Sequence, residues 1–158
     1  MLRIAIITVS DRASRGEYED RSGPALREFC VKQGWTVAAQ AIVPDEEALI
    51  GDKTLELAKE CAVVLLTGGT GIAERDVTPE AIRAIAGKEL PGFGEAMRAK
   101  SFDRFPHAIL SRGFAAVVGQ SLVICLPGSP KGAVECLEVV APAIPHAVEL
   151  LAGKTAHH

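Results

Sequence analysis

Residues 4–9, Ile-Ala-Ile-Ile-Thr-Val, are apolar at every position but Thr8 and do not alternate with polar residues. An unbroken run of this kind, ended by the polar Ser10-Asp11-Arg12, is the pattern of a strand buried on both faces of a parallel sheet covered by helices. Parallel strands need crossovers, and the chain supplies them. Ser22-Gly23-Pro24 opens a helix reaching about residue 31, with proline near the first turn, where its missing N–H costs nothing. Residues 36–43 predict a second strand stopped by Pro44. Asp45 predicts the N-cap of a helix running to about residue 60, with two glutamates in its first turn to complement the dipole. Residues 62–66 predict a third strand. Thr78-Pro79 is a cap-plus-proline helix start, and a further helix is expected over about 95–102. Up to three short strands are expected at 108–111, 115–118 and 122–126, then a long C-terminal helix over about 131–151, interrupted by prolines. This alternation predicts one domain over residues 1–158, a three-layer α/β/α sandwich around a mostly parallel sheet.

In such sheets ligands bind outside the carboxyl ends of the strands. Four segments fall there: Ser10-Asp11-Arg12, Pro44-Asp45, residues 67–76 and residues 127–131. Thr67-Gly68-Gly69-Thr70-Gly71 places three glycines within four residues directly after a buried strand. Such a turn admits close backbone approach and presents successive N–H groups to an anion, with two threonine hydroxyls beside them. A plain strand-to-helix turn is the structural alternative. The spacing matches neither a Walker A loop nor the G-x-G-x-x-G dinucleotide pattern. Ser129-Pro130 is a second helix start suited to an anion, with Lys131 in its first turn, where a cation opposes the helix dipole. Ser22-Gly23-Pro24 is a third, with simple capping as its alternative. Asp45 and Asp76 both fall at strand-end loops, and two carboxylates converging on phosphate oxygens suit Mg²⁺. N-capping by Asp45 and a local Asx turn at Asp76 are the structural alternatives.

Composition excludes several classes. With 17 Lys+Arg against 20 Asp+Glu, a net charge of −3 and basic residues scattered along the chain, no electrostatic footprint for nucleic acid exists. Aromatics at 4% argue against base-stacking platforms, and 48% hydrophobic residues against disorder. No apolar run approaches the ~18 residues of a membrane span or forms a signal segment, so the expected compartment is the cytoplasm. Cys30, Cys61, Cys125 and Cys136 lie singly in apolar runs and are expected to be reduced and buried. His107, His146 and the terminal His157-His158 show no zinc-ligand spacing, and no function is assigned to the terminal pair. Residues 132–151 carry only Glu135, Glu138 and Glu149 as charges, an apolar character that predicts self-association.

The string from Leu65 through Thr67-Gly68-Gly69-Thr70-Gly71 to Arg75-Asp76-Val77-Thr78-Pro79-Glu80 closely resembles the signature of the molybdenum cofactor biosynthesis family typified by MogA and MoaB. The resemblance extends to Ser10-Asp11-Arg12, Pro44-Asp45-Glu46, the Pro91–Arg98 stretch, Leu110-Ser111-Arg112 and Leu126-Pro127-Gly128-Ser129-Pro130-Lys131. Asp11-Arg12-Ala13-Ser14 and Gly16-x-Tyr18-x-Asp20 look like the molybdopterin adenylyltransferase branch. What the resemblance implies is Mg²⁺-dependent transfer of AMP from ATP to the terminal phosphate of molybdopterin, with release of pyrophosphate. It implies a homotrimer and a downstream metal-insertion protein as partner. By the same resemblance Asp45 and Asp76 are the acidic residues of nucleotide, metal and turnover, and Thr67, Gly68, Gly69, Thr70 and Gly71 the substrate loop. Pro127, Gly128, Ser129 and Pro130 are the second loop, and Ser10, Asp11, Glu80, Ser111 and Arg112 surround the same pocket. Some relatives carry Asn at the position of Ser129; a hydroxyl also donates to phosphate. A phosphate nucleophile is already ionised, consistent with the lack of a Ser–His or Cys–His pair. A non-catalytic molybdopterin-binding scaffold and a nucleotide pyrophosphate hydrolase are the alternatives that the same resemblance leaves open.

Overall fold

The computed structural model describes residues 1–154, so His157 and His158 lie outside the described residues. Six strands form one sheet in the order β2-β1-β3-β6-β5-β4: β1 (Arg3–Val9), β2 (Thr36–Val43), β3 (Val63–Thr67), β4 (Lys88–Leu90), β5 (Ala115–Val118) and β6 (Ser121–Leu126). The four strands β2-β1-β3-β6 run parallel, whereas β5 and β4 are antiparallel additions at one edge. After β1 comes the one-turn helix α1 (Asp11–Ser14). The central strands are buried on both sides, and alternate residues serve the two faces. Ile4, Ile6, Val63, Leu65, Leu122 and Ile124 pack beneath α2 (Ser22–Lys32), α5 (Pro91–Phe102), α6 (Pro130–Val140) and α7 (Ile144–Leu151). Ala5, Ile7, Val64, Leu66 and Val123 pack against α3 (Glu47–Ala58) and α4 (Thr78–Ile85) on the other face. This is the expected α/β/α sandwich.

The order of the strands locates the site. From β1 the chain crosses by α2 to β2, on one side of β1; α3 then carries it over the opposite face to β3, on the other side. The switch point therefore lies between the carboxyl ends of β1 and β3, where a crevice opens in open α/β sheets.

Several elements differ from expectation. Residues 108–111 are not a strand: Pro106–Leu110 forms a 3₁₀ turn in which Ala108 is buried while Ile109 and Leu110 face solvent. Pro106 favours a helical turn start, and the burial lacks a strand's alternation. β4 carries no strand signal in the sequence because it is three residues long, charged at two of them and at a sheet edge, as edge strands tend to be. The C-terminal helix divides into α6, a 3₁₀ turn over Ala141–Ala143, and α7, since Pro142 and Pro145 each lack the N–H that continuation needs. Val134, Val139, Ala147, Val148 and Leu151 pack against the chain's own core. The apolar character of this stretch is thus largely satisfied within one chain. All four cysteines are buried and free, as expected, and burial pushes the Cys30 and Cys125 thiols up. No helix among the described residues is long and apolar enough to cross a membrane.

Candidate active site

β1, β2, β3 and β6 all deliver their carboxyl ends to one rim. At the switch point Gly68 has φ +106° and Gly69 φ +69°. A Cβ on Gly68 would run into the carbonyl oxygen of Val9, and one on Gly69 into the Thr78 hydroxyl, with Asp45 Oδ1 at 3.1 Å. Glycine is required at both positions by left-handed backbone and by lack of room. The turn is then tied down: Gly68 N–H donates to Leu126 O (3.1 Å), Thr78 N–H to Gly69 O (3.0 Å) and Thr78 Oγ1 to Gly68 O (2.9 Å). Thr78 is therefore the first residue of α4 rather than its cap, and its hydroxyl closes the glycine turn.

Asp45 is likewise not the N-cap of α3; Glu46 holds that position without a side-chain bond. Asp45 Oδ2 instead accepts from Asp11 N–H (2.9 Å), and Asp11 Oδ1 accepts from Asp45 N–H (3.0 Å), so the ends of β1 and β2 are bonded reciprocally. Arg75 binds the same Asp11 carboxylate through Nε (2.9 Å) and Nη2 (2.8 Å). Asp76 Oδ2 accepts from Ala73 N–H (3.0 Å), which is the local Asx-type turn that its position suggests. The other oxygens, Asp45 Oδ1 and Asp76 Oδ1, accept no hydrogen bond from the described residues.

A cavity of about 260 Å³ takes in Ser10, Asp45, Thr67, Gly68, Gly69, Asp76 and Gly128. These expected positions come together from the loops after four strands. Burial pushes the Asp45 carboxyl up, the nearby Asp11 and Asp76 charges reinforce this, and the Asp11 N–H bond and Arg75 oppose it. A second cavity of about 190 Å³ takes in Ser111, Pro127 and Ser129 with Arg98, Arg104 and His107, against Met97 and Phe105. Pro127 and Ser129 face this second cavity while Gly128 faces the first, so the strip after β6 is a wall common to both. Thr67 Oγ1 fastens that wall at Pro127 O (2.6 Å), and Ser22 Oγ at Gly128 O (2.6 Å). Ser129 caps α6, accepting from Gly132 N–H (3.1 Å), which leaves its own proton to donate; Pro130 is the first residue of that helix.

The remaining expected positions stand behind the cavities. Asp11 lies in the bonded corner just described. Arg112 clamps the glycine loop: its backbone N–H donates to Thr70 O (2.7 Å), Nε to Gly71 O (2.8 Å) and Nη2 to Asp76 O (2.7 Å), while Nη1 pairs with Glu80. Burial raises the Glu80 pKa, but the Arg112 pair, a backbone bond and nearby charge outweigh it, leaving a net lowering. Asp20 and Tyr18 also line the first cavity, outside the set of site residues expected from the sequence. Asp20 accepts from Thr8 Oγ1 (2.9 Å) and Gly23 N–H (3.0 Å), doing the capping work expected of Ser22. The Gly16-x-Tyr18-x-Asp20 spacing is the signal that could have placed them there.

No group of three or more His, Cys, Asp or Glu among the described residues is gathered as a metal cage. Mg²⁺ does not need one, since it takes one or two carboxylates and completes its shell with water and substrate phosphates. Asp45 Oδ1 and Asp76 Oδ1, on one cavity, fit that donor set.

Fold and site together define an α/β domain with a cavity at a strand switch point, lined by a glycine turn and two carboxylates. A family model described as a probable molybdopterin binding domain matches residues 5–146. The chain belongs to this molybdopterin-binding family. It is 46% identical over 156 residues to the molybdopterin adenylyltransferase of Helicobacter pylori strain J99, covering 96% of this chain and 89% of that one. Identity to the molybdopterin adenylyltransferase of Escherichia coli K12 is 43% over 168 residues, covering 96% and 86%. The crystal structure of the molybdopterin biosynthesis enzyme MoaB from Thermus thermophilus superposes with a TM-score of 0.91 at 46% identity over 98% of each chain. The tungsten cofactor synthesizing protein MoaB from Pyrococcus furiosus gives 0.86 at 36%, over 95% of this chain and 96% of that one.

Proposed function

We propose that this chain is a molybdopterin adenylyltransferase acting in molybdenum cofactor biosynthesis. The observation that carries the reading is the Pro127–Ser129 wall common to two cavities, one of which holds Asp45, Asp76 and the glycine turn. Two phosphorylated ligands on either side of one wall have their phosphates brought together. Similarity at 43–46% identity over nearly the whole chain to proteins named for this activity supports the same reading.

In the reaction a phosphate oxygen of molybdopterin attacks the α-phosphorus of ATP. The new P–O bond forms as the bond to the bridging α–β oxygen breaks, and its electron pair leaves with pyrophosphate. The nucleophile is already an anion, so the protein's tasks are positioning and charge neutralisation. Asp45 and Asp76 would hold Mg²⁺, which when bound neutralises triphosphate oxygens. The turn at Gly68-Gly69 lets backbone approach the ligand, with Ser10 beside it. Ser129 donates its hydroxyl proton to a phosphate at the common wall, and Ser111 lines the second cavity near Arg98. Asp11, Glu80 and Arg112 serve the site through the segments they hold.

The same reading takes residues 1–158 as one domain assembled as a homotrimer that hands its product to a metal-insertion protein. Exposed Phe102, Phe105, Ile109 and Leu110 supply apolar surface for a second copy of this chain. Four unpaired buried cysteines suit a reducing cytoplasm. The deciding experiment measures pyrophosphate release with ATP, Mg²⁺ and molybdopterin. Release that requires the pterin is the expected result. Binding without release identifies a scaffold, and hydrolysis without the pterin identifies a pyrophosphate hydrolase.

A further inference from the structure

The segment carrying Asp76 is thinly supported. Residues 72–75 are exposed, Ile72 at 70%, so little apolar packing holds them. Arg112 grips one flank of this arm at Gly71 O and Asp76 O. On the other flank the tie is Arg75, whose Nε and Nη2 fork onto both oxygens of Asp11 at 2.9 and 2.8 Å. Asp11 is in turn bonded reciprocally to Asp45 through backbone N–H groups, at 2.9 and 3.0 Å. A continuous chain of charge-assisted bonds therefore runs from the residue next to Asp76 to the backbone of Asp45, across 64 and 34 positions of sequence.

We infer that Arg75 is a positioning residue: by forking onto Asp11 it fixes the arm bearing Asp76 at a set distance from the corner bearing Asp45. The Arg75 side chain is 60% exposed, and exposed ion pairs add little to global stability. Its contribution is geometric. Guanidinium suits this task because its planar fork fixes direction as well as distance, which an ammonium does not. The part of the inference that concerns turnover rests on the adenylyltransferase reading; the part that concerns the arm does not.

The test compares wild type with Arg75→Gln, Arg75→Lys, Asp11→Asn and the double variant Arg75→Gln/Asp11→Asn. In protein without substrates, amide hydrogen exchange at Ala73 and Asp76, which bond each other across the Asx turn, rises at least tenfold in Arg75→Gln. The melting temperature stays within about 2 °C of wild type, the scale of a weak surface pair in a domain of this size. In turnover, kcat falls at least tenfold while the KM for molybdopterin changes less than twofold. Arg75→Lys recovers only part of the loss, and the double variant is no worse than the poorer single one, as for members of one network. Wild-type exchange together with wild-type kcat in Arg75→Gln overturns the inference, as does a fall of about 5 °C or more in melting temperature with no selective change in the arm. Wild-type protein that releases no pyrophosphate overturns the functional reading instead, and leaves the exchange result standing.

Discussion

Asp45 and Asp11 exchange backbone hydrogen bonds yet titrate in opposite directions. The Arg75 pair holds Asp11 below its ordinary value of 3.8, against a smaller effect of burial, whereas burial pushes Asp45 above the same value. Ionised Asp11 therefore favours the fold at neutral pH, and that contribution is lost as pH falls through its lowered pKa. Ionised Asp45 has the opposite sign: its cost is present above its raised pKa and vanishes as pH falls below 3.8. We expect Asp45→Asn, whose amide oxygen can still accept from Asp11 N–H, to melt higher than wild type at pH 7 and to lose that advantage near pH 3.5. Its kcat should fall about 10²–10³-fold, the range for removing one pre-organised charge-stabilising group, and Asp76→Asn should fall comparably. Differential scanning calorimetry at the two pH values and pyrophosphate release read the two halves. Wild-type turnover in both variants would remove the aspartates from the mechanism. The two carboxylates were legible in the sequence from their place after strands and from the family string. The bonding of Asp45 to Asp11 was not, because it joins residues 34 positions apart, and an aspartate before a helix ordinarily signals a cap.

At the scale of elements, the parallel strands and the glycine turn follow from local rules, while β4, the 3₁₀ turn at Pro106–Leu110 and the clamps around the glycine turn do not. β1 and β2 declare themselves by apolar runs, and the run 63–67 by its turn. Arg112, in contrast, grips Thr70, Gly71, Asp76 and Glu80 from a segment expected to be a strand end. Its role depends on a 3₁₀ turn at Pro106–Leu110 that delivers it to the back of the loop. We expect Arg112→Lys to cost roughly 1–3 kcal/mol, the range for losing charge-assisted bonds to partly buried acceptors. An ammonium cannot reach three separated acceptors in the fork geometry. Urea denaturation measures the loss, and faster proteolytic nicking at residues 71–76 locates it. A change below about 0.5 kcal/mol would show that Thr78 and the strand ends hold the turn unaided.

The whole molecule keeps its four parallel strands side by side from one edge of the sheet, with the antiparallel pairings of β5 and β4 at the other edge, so all the strand ends that matter point to one rim. Composition argues against nucleic acid as a partner but does not show which surface meets another protein. The apolar C-terminal stretch is the sequence's own candidate for that surface, yet its side chains are mostly used within the chain. Four exposed large apolar side chains, Phe102, Phe105, Ile109 and Leu110, instead fall within one short segment, beside the second cavity that Phe105 helps to line. Multi-angle light scattering should return the mass of three chains, and Ile109→Lys should lower it; a one-chain mass for wild type would contradict the trimer.

The strip at Pro127–Ser129 imposes a further condition on how this protein can change. Alternate residues of three consecutive positions front opposite chambers, and their carbonyls are anchored by Thr67 and Ser22. A shift that widens one chamber narrows its neighbour. On the adenylyltransferase reading, affinities for the two co-substrates would thus be mechanically linked, and selection for a bulkier occupant on one side would register as a handicap on the other.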